Sequence, residues 1–470
     1  MLPTSPRPAT GRAALAALAL AVLPASLGTS IANIGLPALA TAFHADFQSV
    51  QWVVLAYLLA MTLAVVSAGR LGDLLGRRRL LLAGCGVFGL ASLLCGAAPQ
   101  LPWLLAARAL QGLGAAVMLT LSMAMVGEAV PKARTGSAMG LLATMSAIGT
   151  ALGPALGGVL LAALGWRALF WVNVPLAALA ALLAWRTLPA DATRSPTRLG
   201  WPGTLLLAAT LAAYALAMTL GHGRLDARNG ALLLAAALGG LLLWQVERRT
   251  SAPLLPLATL RQPPLRAALL LSALVMTVMM ATLVVGPFYL AGALGLPPAQ
   301  VGAVMAAGPL LSVLTGLLAG KVVDRLGSAV VMRSGLLLML AGTLLLALQA
   351  ATWGVAGYLA AIVVLTPGYQ AFQAANNTAV MADAAASQRG VLSGLLNLAR
   401  NLGLITGAAC MGALFAHTTG SPNPVTAPAA SIAAGLHGTF AVGSGLLLIA
   451  LLVAQGGWRR AATPAQAPAA

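Results

Sequence analysis

The chain of 470 residues is 60% hydrophobic and only 7% charged, with a mean hydropathy of +0.94. Soluble domains carry about 25% charged residues, so this composition excludes an ordinary soluble protein. The formal net charge of +18 suggests a nucleic-acid binder at first sight, but the positions of the basic residues argue against one.

Apolar runs of about 18–25 residues recur along the whole chain, and each is long enough to cross a hydrocarbon core of about 30 Å as a helix. We therefore predict an all-α polytopic membrane protein with fourteen transmembrane helices. The predicted spans lie near residues 14–37, 50–69, 80–98, 103–126, 137–163, 168–186, 201–220, 230–246, 266–291, 300–320, 330–350, 354–379, 391–416 and 436–455.

The basic residues are distributed unevenly between the predicted loops. With the N-terminus inside, 21 of the 26 lysines and arginines fall on the cytoplasmic side, three fall outside, and Arg108 and Arg400 fall within spans. This is the positive-inside pattern of a multi-pass membrane protein, and it fits an even number of spans. It predicts that both termini are cytoplasmic and that the partner of the chain is the lipid bilayer rather than a nucleic acid.

Two pairs of similar segments indicate an internal duplication. The segment GSAMGLLATMSAIGTALG begins at Gly136 and GVLSGLLNLARNLGLITG begins at Gly390, and four glycines match at an offset of 254. The segments GRLGDLLG at 69–76 and GKVVDRLG at 320–327 match at an offset of 251. Many transporters are built from such repeats.

The duplication divides the fourteen spans into 6+2+6. The two spans in the middle match neither pair of segments, so we interpret them as an insertion between pseudo-symmetric halves. The predicted domains are a six-helix half at 1–190, a two-helix insertion at 191–262 and a second six-helix half at 263–470.

The cytoplasmic loop GRLGDLLGRRR at 69–79 contains glycines that allow a tight turn and close helix approach. Asp73 can accept a cationic partner or a helix N-terminus, and Arg77 can anchor to headgroups or to protein. A plain basic loop is the alternative. The second copy, with Asp324, disfavours that alternative because a charge rule alone would not repeat Gly-x-x-x-Asp.

Six ordered motifs carry a family resemblance. They are SIANIGLP at 30–37, QWVVLAYLLA at 51–60, GRLGDLLGRRR at 69–79, LLAARALQGLGAA at 104–116, GTALGPALGGVL at 149–160 and GWRALFWVNVP at 165–175. With them the chain resembles the major facilitator superfamily, in particular its fourteen-span drug:proton antiporter branch. The resemblance implies alternating access by two halves, a gating role for the loop after span two, and a role for span five in sealing the outer side.

The candidate coupling and gating residues combine intramembrane cations, the repeated cytoplasmic loop and a glycine-proline face. An intramembrane arginine costs about 2.5–3.5 kcal/mol on insertion scales and is by default a functional hypothesis, with snorkelling or packing as the alternative. The resemblance implies a coupling role for the first of these arginines. The candidates are Arg108, Asp73, Arg77, Gly149, Gly153, Pro154, Gly157, Asp324 and Arg400.

The candidate substrate-binding residues are uncharged polar or aromatic side chains within spans. Such groups are expensive in lipid and should face the interior, where they form either a cavity wall or interhelical hydrogen bonds. Several recur at i, i+3 and i+7 and share one helix face. The candidates are Ser26, Thr29, Asn33, Tyr57, Gln111, Gln370, Gln373, Asn377 and Asn397.

All eight acidic residues fall in loops or at span ends by these boundaries. The resembling antiporters usually carry an Asp in the span-one signature, and the aligned position is Gly28. A carboxylate in a membrane can exchange a proton for a cationic substrate, whereas glycine can do neither. Recognition of cations through span one is therefore not expected, and proton coupling would need an acid nearer the membrane edge.

An enzyme is not expected. The four histidines lie in outer loops or at outer span ends without metal-ligand spacing, and no Gly-x-x-x-x-Gly-Lys loop is present to bind ATP, so no metal and no cofactor is predicted. We expect a bacterial inner-membrane transporter that exports a small hydrophobic drug or metabolite in exchange for protons. An uncoupled facilitator, an uptake transporter of a neutral solute, and a non-transporting sensor or scaffold are the alternatives. The oligomeric state is open, and a monomer is compatible with this mechanism.

Overall fold

The computed structural model describes residues 8–130, 135–191, 201–220, 227–249, 262–348, 350–382, 389–421 and 427–459. Within these ranges the regular structure is helical and no strand occurs. The helices are α1 (Pro8–Ile34), α2 (Leu36–Ala42), α3 (Phe47–Leu75), α4 (Arg77–Ala97), α5 (Leu101–Ala129), α6 (Thr135–Leu164), α7 (Ala168–Trp171), α8 (Asn173–Thr187), α9 (Trp201–Leu220), α10 (Ala227–Arg249), α11 (Pro263–Phe288), α12 (Pro298–Leu326), α13 (Ser328–Leu348), α14 (Ala350–Ala382), α15 (Arg389–Thr406), α16 (Gly412–Thr419) and α17 (Ala429–Arg459). Short π-helical segments continue α11 at Tyr289–Ala293 and join α15 to α16 at Gly407–Met411.

The helices are long and apolar because a backbone in lipid must satisfy its hydrogen bonds internally. Thirteen helices among the described residues meet the length and hydropathy of a membrane span. The remaining predicted span corresponds to α9, which contains a shorter apolar stretch at Leu205–Tyr214. The predicted all-α fold class is therefore confirmed.

The glycines of the repeated segment make the same kind of contact in both halves. Gly149 and Gly153 of α6 lie so close to α1 that an added Cβ would overlap its residues, including the Cβ of Ser26 at 3.0 Å. Gly403 of α15 packs on α11 in the same way, with the Cβ of Met276 at 2.8 Å from the added atom. Small residues permit such close approach between membrane helices.

The repeated loop that we predict to be cytoplasmic also forms the same turn twice. Gly76 ends α3 with a φ of 99°, and Gly327 ends α12 with a φ of 79°. These positive φ values favour glycine, and each turn leads directly into the next helix. The offset of 251 residues between the two glycines is that of the repeated segments.

The two predicted halves touch at their predicted outer ends. Gly158 of α6 lies against Gly302 of α12, and a Cβ added to Gly158 would lie 2.8 Å from the Cα of Gly302. In a second contact, Phe47 packs edge-on against Phe288, with ring centroids 4.6 Å apart, and Phe415 lies 5.5 Å from Phe47. These contacts join the halves at the predicted outer side.

The inserted helix α9 lies between the halves, and α10 packs on α9. Leu207 of α9 belongs to an apolar cluster that also includes Leu59 of α3 and Leu402 of α15. The hydroxyls of Tyr214 and Thr406 are 2.6 Å apart, which links α9 to α15 by a hydrogen bond. The insertion is therefore packed on both halves, while the predicted domain boundaries themselves stay a prediction.

Candidate functional site

Arg108, the predicted intramembrane cation of α5, is fully buried. Its Nε donates to the carbonyl oxygen of Val53 at 2.8 Å, and its Nη2 donates to that of Gly28 at 3.1 Å. Its Nη1 donates to Oε1 of Gln111 at 2.5 Å, and its guanidinium carbon lies 4.2 Å from the ring centroid of Tyr57. The guanidinium thus joins α1, α3 and α5 through charge-assisted hydrogen bonds and a cation–π contact.

Tyr57 and Gln111, two predicted substrate-binding residues, extend this network. The Tyr57 hydroxyl donates to the carbonyl oxygen of Ala25 at 2.7 Å, and Nε2 of Gln111 donates to Oγ of Ser92 on α4 at 2.7 Å. Both predicted residues are fully buried, so in this conformation they connect four helices of the first half instead of lining an open cavity. Ser92 was not predicted, because a lone serine in a span is most often a packing residue.

Gly28, the position of the absent acid, lies within the same network. Its carbonyl oxygen accepts the bond from Arg108, and a Cβ at this position would lie 3.1 Å from the Tyr57 hydroxyl and 3.5 Å from Cζ of Phe88. The space beside Gly28 is therefore almost filled by aromatic side chains. Among the described residues, no carboxylate forms an ion pair with Arg108.

The polar face predicted on the first span makes mostly local contacts. Ser26 reaches another helix, with its hydroxyl 2.7 Å from that of Ser146 on α6. Thr29 donates to the carbonyl oxygen of Ser26 at 2.6 Å, and Nδ2 of Asn33 donates to that of Thr29 at 3.0 Å. Asn33 is fully buried, and its Oδ1 has no hydrogen-bond partner in the structure. A role in substrate binding stays a prediction for these residues.

The polar residues predicted on α14 contact different neighbours although they share one face. Nε2 of Gln370 donates to the carbonyl oxygen of Ser312 on α12 at 3.2 Å. Nε2 of Gln373 donates to the hydroxyl of Tyr369 within α14 at 3.2 Å, while Asn377 faces α15. All three predicted side chains are partly buried, and Gln370 and Asn377 connect α14 to other helices of the second half.

Asn376, which was not predicted, is the fully buried polar residue of this stretch. Its Nδ2 donates to the hydroxyl of Ser272 at 2.8 Å and to the carbonyl oxygen of Ala268 at 3.2 Å, both on α11. The i, i+3, i+7 spacing identified the face that carries Gln370, Gln373 and Asn377, and Asn376 lies on the adjoining face. The importance of Asn376 becomes visible only when α11 is seen to supply its acceptors.

Arg400, the second predicted intramembrane cation, lies on α15 next to α14. Its Nη2 donates to Oδ1 of Asn377 at 2.7 Å. Its Nε is buried and has no hydrogen-bond partner in the structure. Asn397 lies one turn away on the same helix and is partly buried.

The predicted glycine-proline face of α6 serves two contacts. Gly149, Gly153 and Gly157 face α1, and a Cβ at Gly157 would lie 2.6 Å from a side-chain carbon of α1. The carbonyl oxygen of Pro154 faces the other half, 2.5 Å from where a Cβ of Gly302 would lie. The face therefore joins α6 to α1 of its own half and also contacts Gly302 of the other half.

The predicted gating residues of the cytoplasmic loop are only partly described. The side chain of Asp73 lies outside the described part of the structure. Arg77 is the first residue of α4 and is partly buried, and Asp324 is exposed near the end of α12. Their gating role stays a prediction.

An acid that the sequence did not single out contacts this loop. Asp191, which follows α8, accepts hydrogen bonds from the backbone nitrogens of Arg78 at 2.8 Å and Arg79 at 3.1 Å. These nitrogens lie in the first turn of α4 and have no acceptor within the helix, so a carboxylate is favourable there. The 113 residues between Asp191 and Arg78 explain why no spacing rule identified it.

No metal-binding group emerges from the side chains that the structure describes. Within the described ranges, no three of His, Cys, Asp or Glu lie close enough to hold a metal ion. The network around Arg108 can hold charge and hydrogen bonds, but it presents neither a nucleophile nor a paired acid.

Comparisons with known proteins agree on one family. A family model described as Major Facilitator Superfamily matches residues 18–408. The uncharacterized transporter YebQ of Escherichia coli is 30% identical over 90% of this chain and 93% of its own length, and the drug efflux pump JefA of Mycobacterium tuberculosis is 32% identical over 88% and 82%. The crystal structure of a bacterial homolog of the human lysosomal transporter Spinster, inward-facing and unoccupied, has a TM-score of 0.70 at 16% identity and covers 98% of this chain and 100% of its own.

Proposed function

Because the chain belongs to the major facilitator superfamily, we propose that it exports a small hydrophobic drug or metabolite across the bacterial inner membrane in exchange for protons. Membership makes the chain a multi-pass membrane transporter of a small molecule and not an enzyme. The proposal further includes export as the direction of transport, the proton as the coupling ion, the inner membrane as the location, and a cytoplasmic position for both termini. The observation that carries it is the similarity to a relative named as a drug efflux pump, over 88% of this chain.

Alternating access is the proposed mechanism, with the two six-helix halves rocking about a central path. The outer contact between Gly158 and Gly302 supports it, because two bare backbones can separate without leaving polar side chains unpaired. The hydrogen bonds of Arg108 remain within one half, which supports movement of that half as a unit.

The test is a drug-susceptibility profile of a strain that lacks the gene, measured against neutral, anionic and permanently cationic hydrophobic compounds. The proposal predicts a selective loss of tolerance to neutral or anionic compounds, together with higher accumulation of those compounds in the cell. A matched strain that carries a chromosomal copy should recover both. An unchanged accumulation of every compound class would refute export.

Uncoupled facilitation is the second candidate, and the absence of an acid at Gly28 favours it. Among the candidate spans of the described residues, the one acidic residue is Glu247 of the inserted α10. The candidate spans of the two halves therefore contain no carboxylate. A pH-jump assay in proteoliposomes separates the two functions. Export coupled to protons predicts substrate-induced proton movement, whereas a facilitator moves substrate down its own gradient without it.

A further inference from the structure

The guanidinium of Arg400 has a donor that makes no hydrogen bond in the structure. A guanidinium has five N–H donors in a rigid fork. Among the described residues, Arg400 makes one side-chain hydrogen bond, to Asn377, and its Nε is buried without an acceptor. A buried charged donor without an acceptor is costly, so an incoming acceptor at this position is strongly favoured.

Arg400 lies on the side of α15 that faces α14, where Oδ1 of Asn377 accepts its hydrogen bond. Residues three and four apart share a helix face, which places Asn397, Arg400 and Asn401 together. Leu398 and Leu402 lie on the opposite face and belong to the apolar cluster with α3 and α9. The three polar residues are partly exposed. An arginine at membrane depth faces the protein interior or a water-filled cavity and not lipid, so this face is directed into the helix bundle.

The charges around this face are positive. Within the part of the chain that the structure describes, neither Arg400 nor Arg108 forms an ion pair with a carboxylate. An uncompensated guanidinium at membrane depth, in a second half whose candidate spans contain no acid, repels cations and attracts anions.

We propose that Arg400, held by Asn377, binds a carboxylate group of the exported compound. A planar guanidinium pairs with a carboxylate through two parallel hydrogen bonds, and one of these would use the free Nε–H. The inference rests on the proposed export function and specifies its substrate class as a hydrophobic carboxylate. The apolar part of such a compound would contact the surrounding aliphatic helices.

The experiment compares 2-naphthoate with its neutral amide, 2-naphthamide, by calorimetric titration of the full chain in lipid nanodiscs. The wild type should bind the carboxylate at least about tenfold more tightly, since hydrogen bonds to charged groups contribute that much or more. Arg400→Gln should remove the preference. Arg400→Lys should retain part of it, because lysine keeps the charge without the fork.

Arg333→Gln is the matched control, because Arg333 is an exposed arginine on α13. It should retain the full preference for 2-naphthoate. If Arg400→Gln does not assemble, Arg400→Lys carries the test. Equal affinities in the wild type, no binding of 2-naphthoate, or a preference that survives at either Arg400 variant without loss would overturn the proposal.

Proton-driven flux of both probes in proteoliposomes separates this inference from the export function. Flux of 2-naphthamide without any preference for the carboxylate would refute the Arg400 site and leave export in place. A carboxylate preference that depends on Arg400, without proton-driven flux, would establish the site and refute the proposed coupling.

Discussion

The contact between Gly302 and Gly158 should control how readily the outer side closes. A Cβ at Gly302 would lie 2.7 Å from the Cα of Gly158 and 2.5 Å from the carbonyl oxygen of Pro154. Carbon atoms pack best at about 3.5–4.0 Å, so Gly302→Ala requires α6 and α12 to separate by about 1 Å. The obstructing atoms are backbone and cannot rotate away.

The expected cost of Gly302→Ala in the closed conformation is about 1–3 kcal/mol, the usual range for overpacking. That cost shifts the equilibrium between outer-closed and outer-open conformations by about 5–150-fold towards the open one. Gly320→Ala is the control, because Gly320 lies on the same helix with no atom within 4 Å of its added Cβ. Both changes alter the intrinsic helix propensity of α12 equally.

The assay is a spin-label distance measurement across the outer ends, in a background without native cysteines. Labels at Thr41 of α2 and Ala430 of α17 are suitable, since both positions are exposed and lie in different halves. Gly302→Ala should increase the population at longer distance, and Gly320→Ala should match the parent. Coinciding distributions for the two variants would show that this contact does not determine the outer closure.

Substitutions at four further positions test individual contacts by their effect on thermal unfolding, transport or binding. Asp191→Ala removes the carboxylate at the N-terminus of α4 and should lower the free energy of unfolding by about 1 kcal/mol, with Asp191→Asn intermediate. The lysine of Arg108→Lys cannot reach three acceptors at once, so the variant should lose about 1.5–3 kcal/mol of stability for each missing hydrogen bond. We expect a lower Tm together with reduced export. An unchanged Tm would show that the network does not stabilise the first half. Asn376→Ala should lower the stability by about 1 kcal/mol without affecting 2-naphthoate binding. Asn377→Ala should weaken 2-naphthoate binding with little change in Tm, because Asn377 holds Arg400. The reverse pattern would contradict a structural role for Asn376 and a binding role for Asn377.

Helix type and the family could be predicted from the sequence because a membrane leaves the backbone few choices. Long apolar runs must be helical, and the positive-inside rule orients them without any knowledge of packing. The repeated segments also carried geometric information, since Gly76 and Gly327 form the same turn and Gly149 and Gly403 the same helix contact. A repeat preserves local backbone geometry, which is visible in the residues themselves.

The partners of the polar side chains could not be predicted. The spacing of Gln370, Gln373 and Asn377 identifies one face of α14, yet their acceptors and donors lie on α12, on α14 itself and on α15. A periodicity gives the direction of a side chain relative to its own helix axis, but not the helix that occupies that direction. The same limit concealed Asn376, whereas Asp191 was concealed by its separation of 113 residues from Arg78.

The sequence by itself determined that this chain is an all-helical membrane transporter of the major facilitator superfamily, and that Arg108 and Arg400 lie within spans without an acid at Gly28. The tertiary structure decided what surrounds those two charges. Arg108 is enclosed by carbonyl oxygens and an aromatic ring of its own half, whereas Arg400 keeps a donor without an acceptor. The difference arises from helix packing, because the crossing of neighbouring helices determines which backbone and side-chain atoms reach a given position.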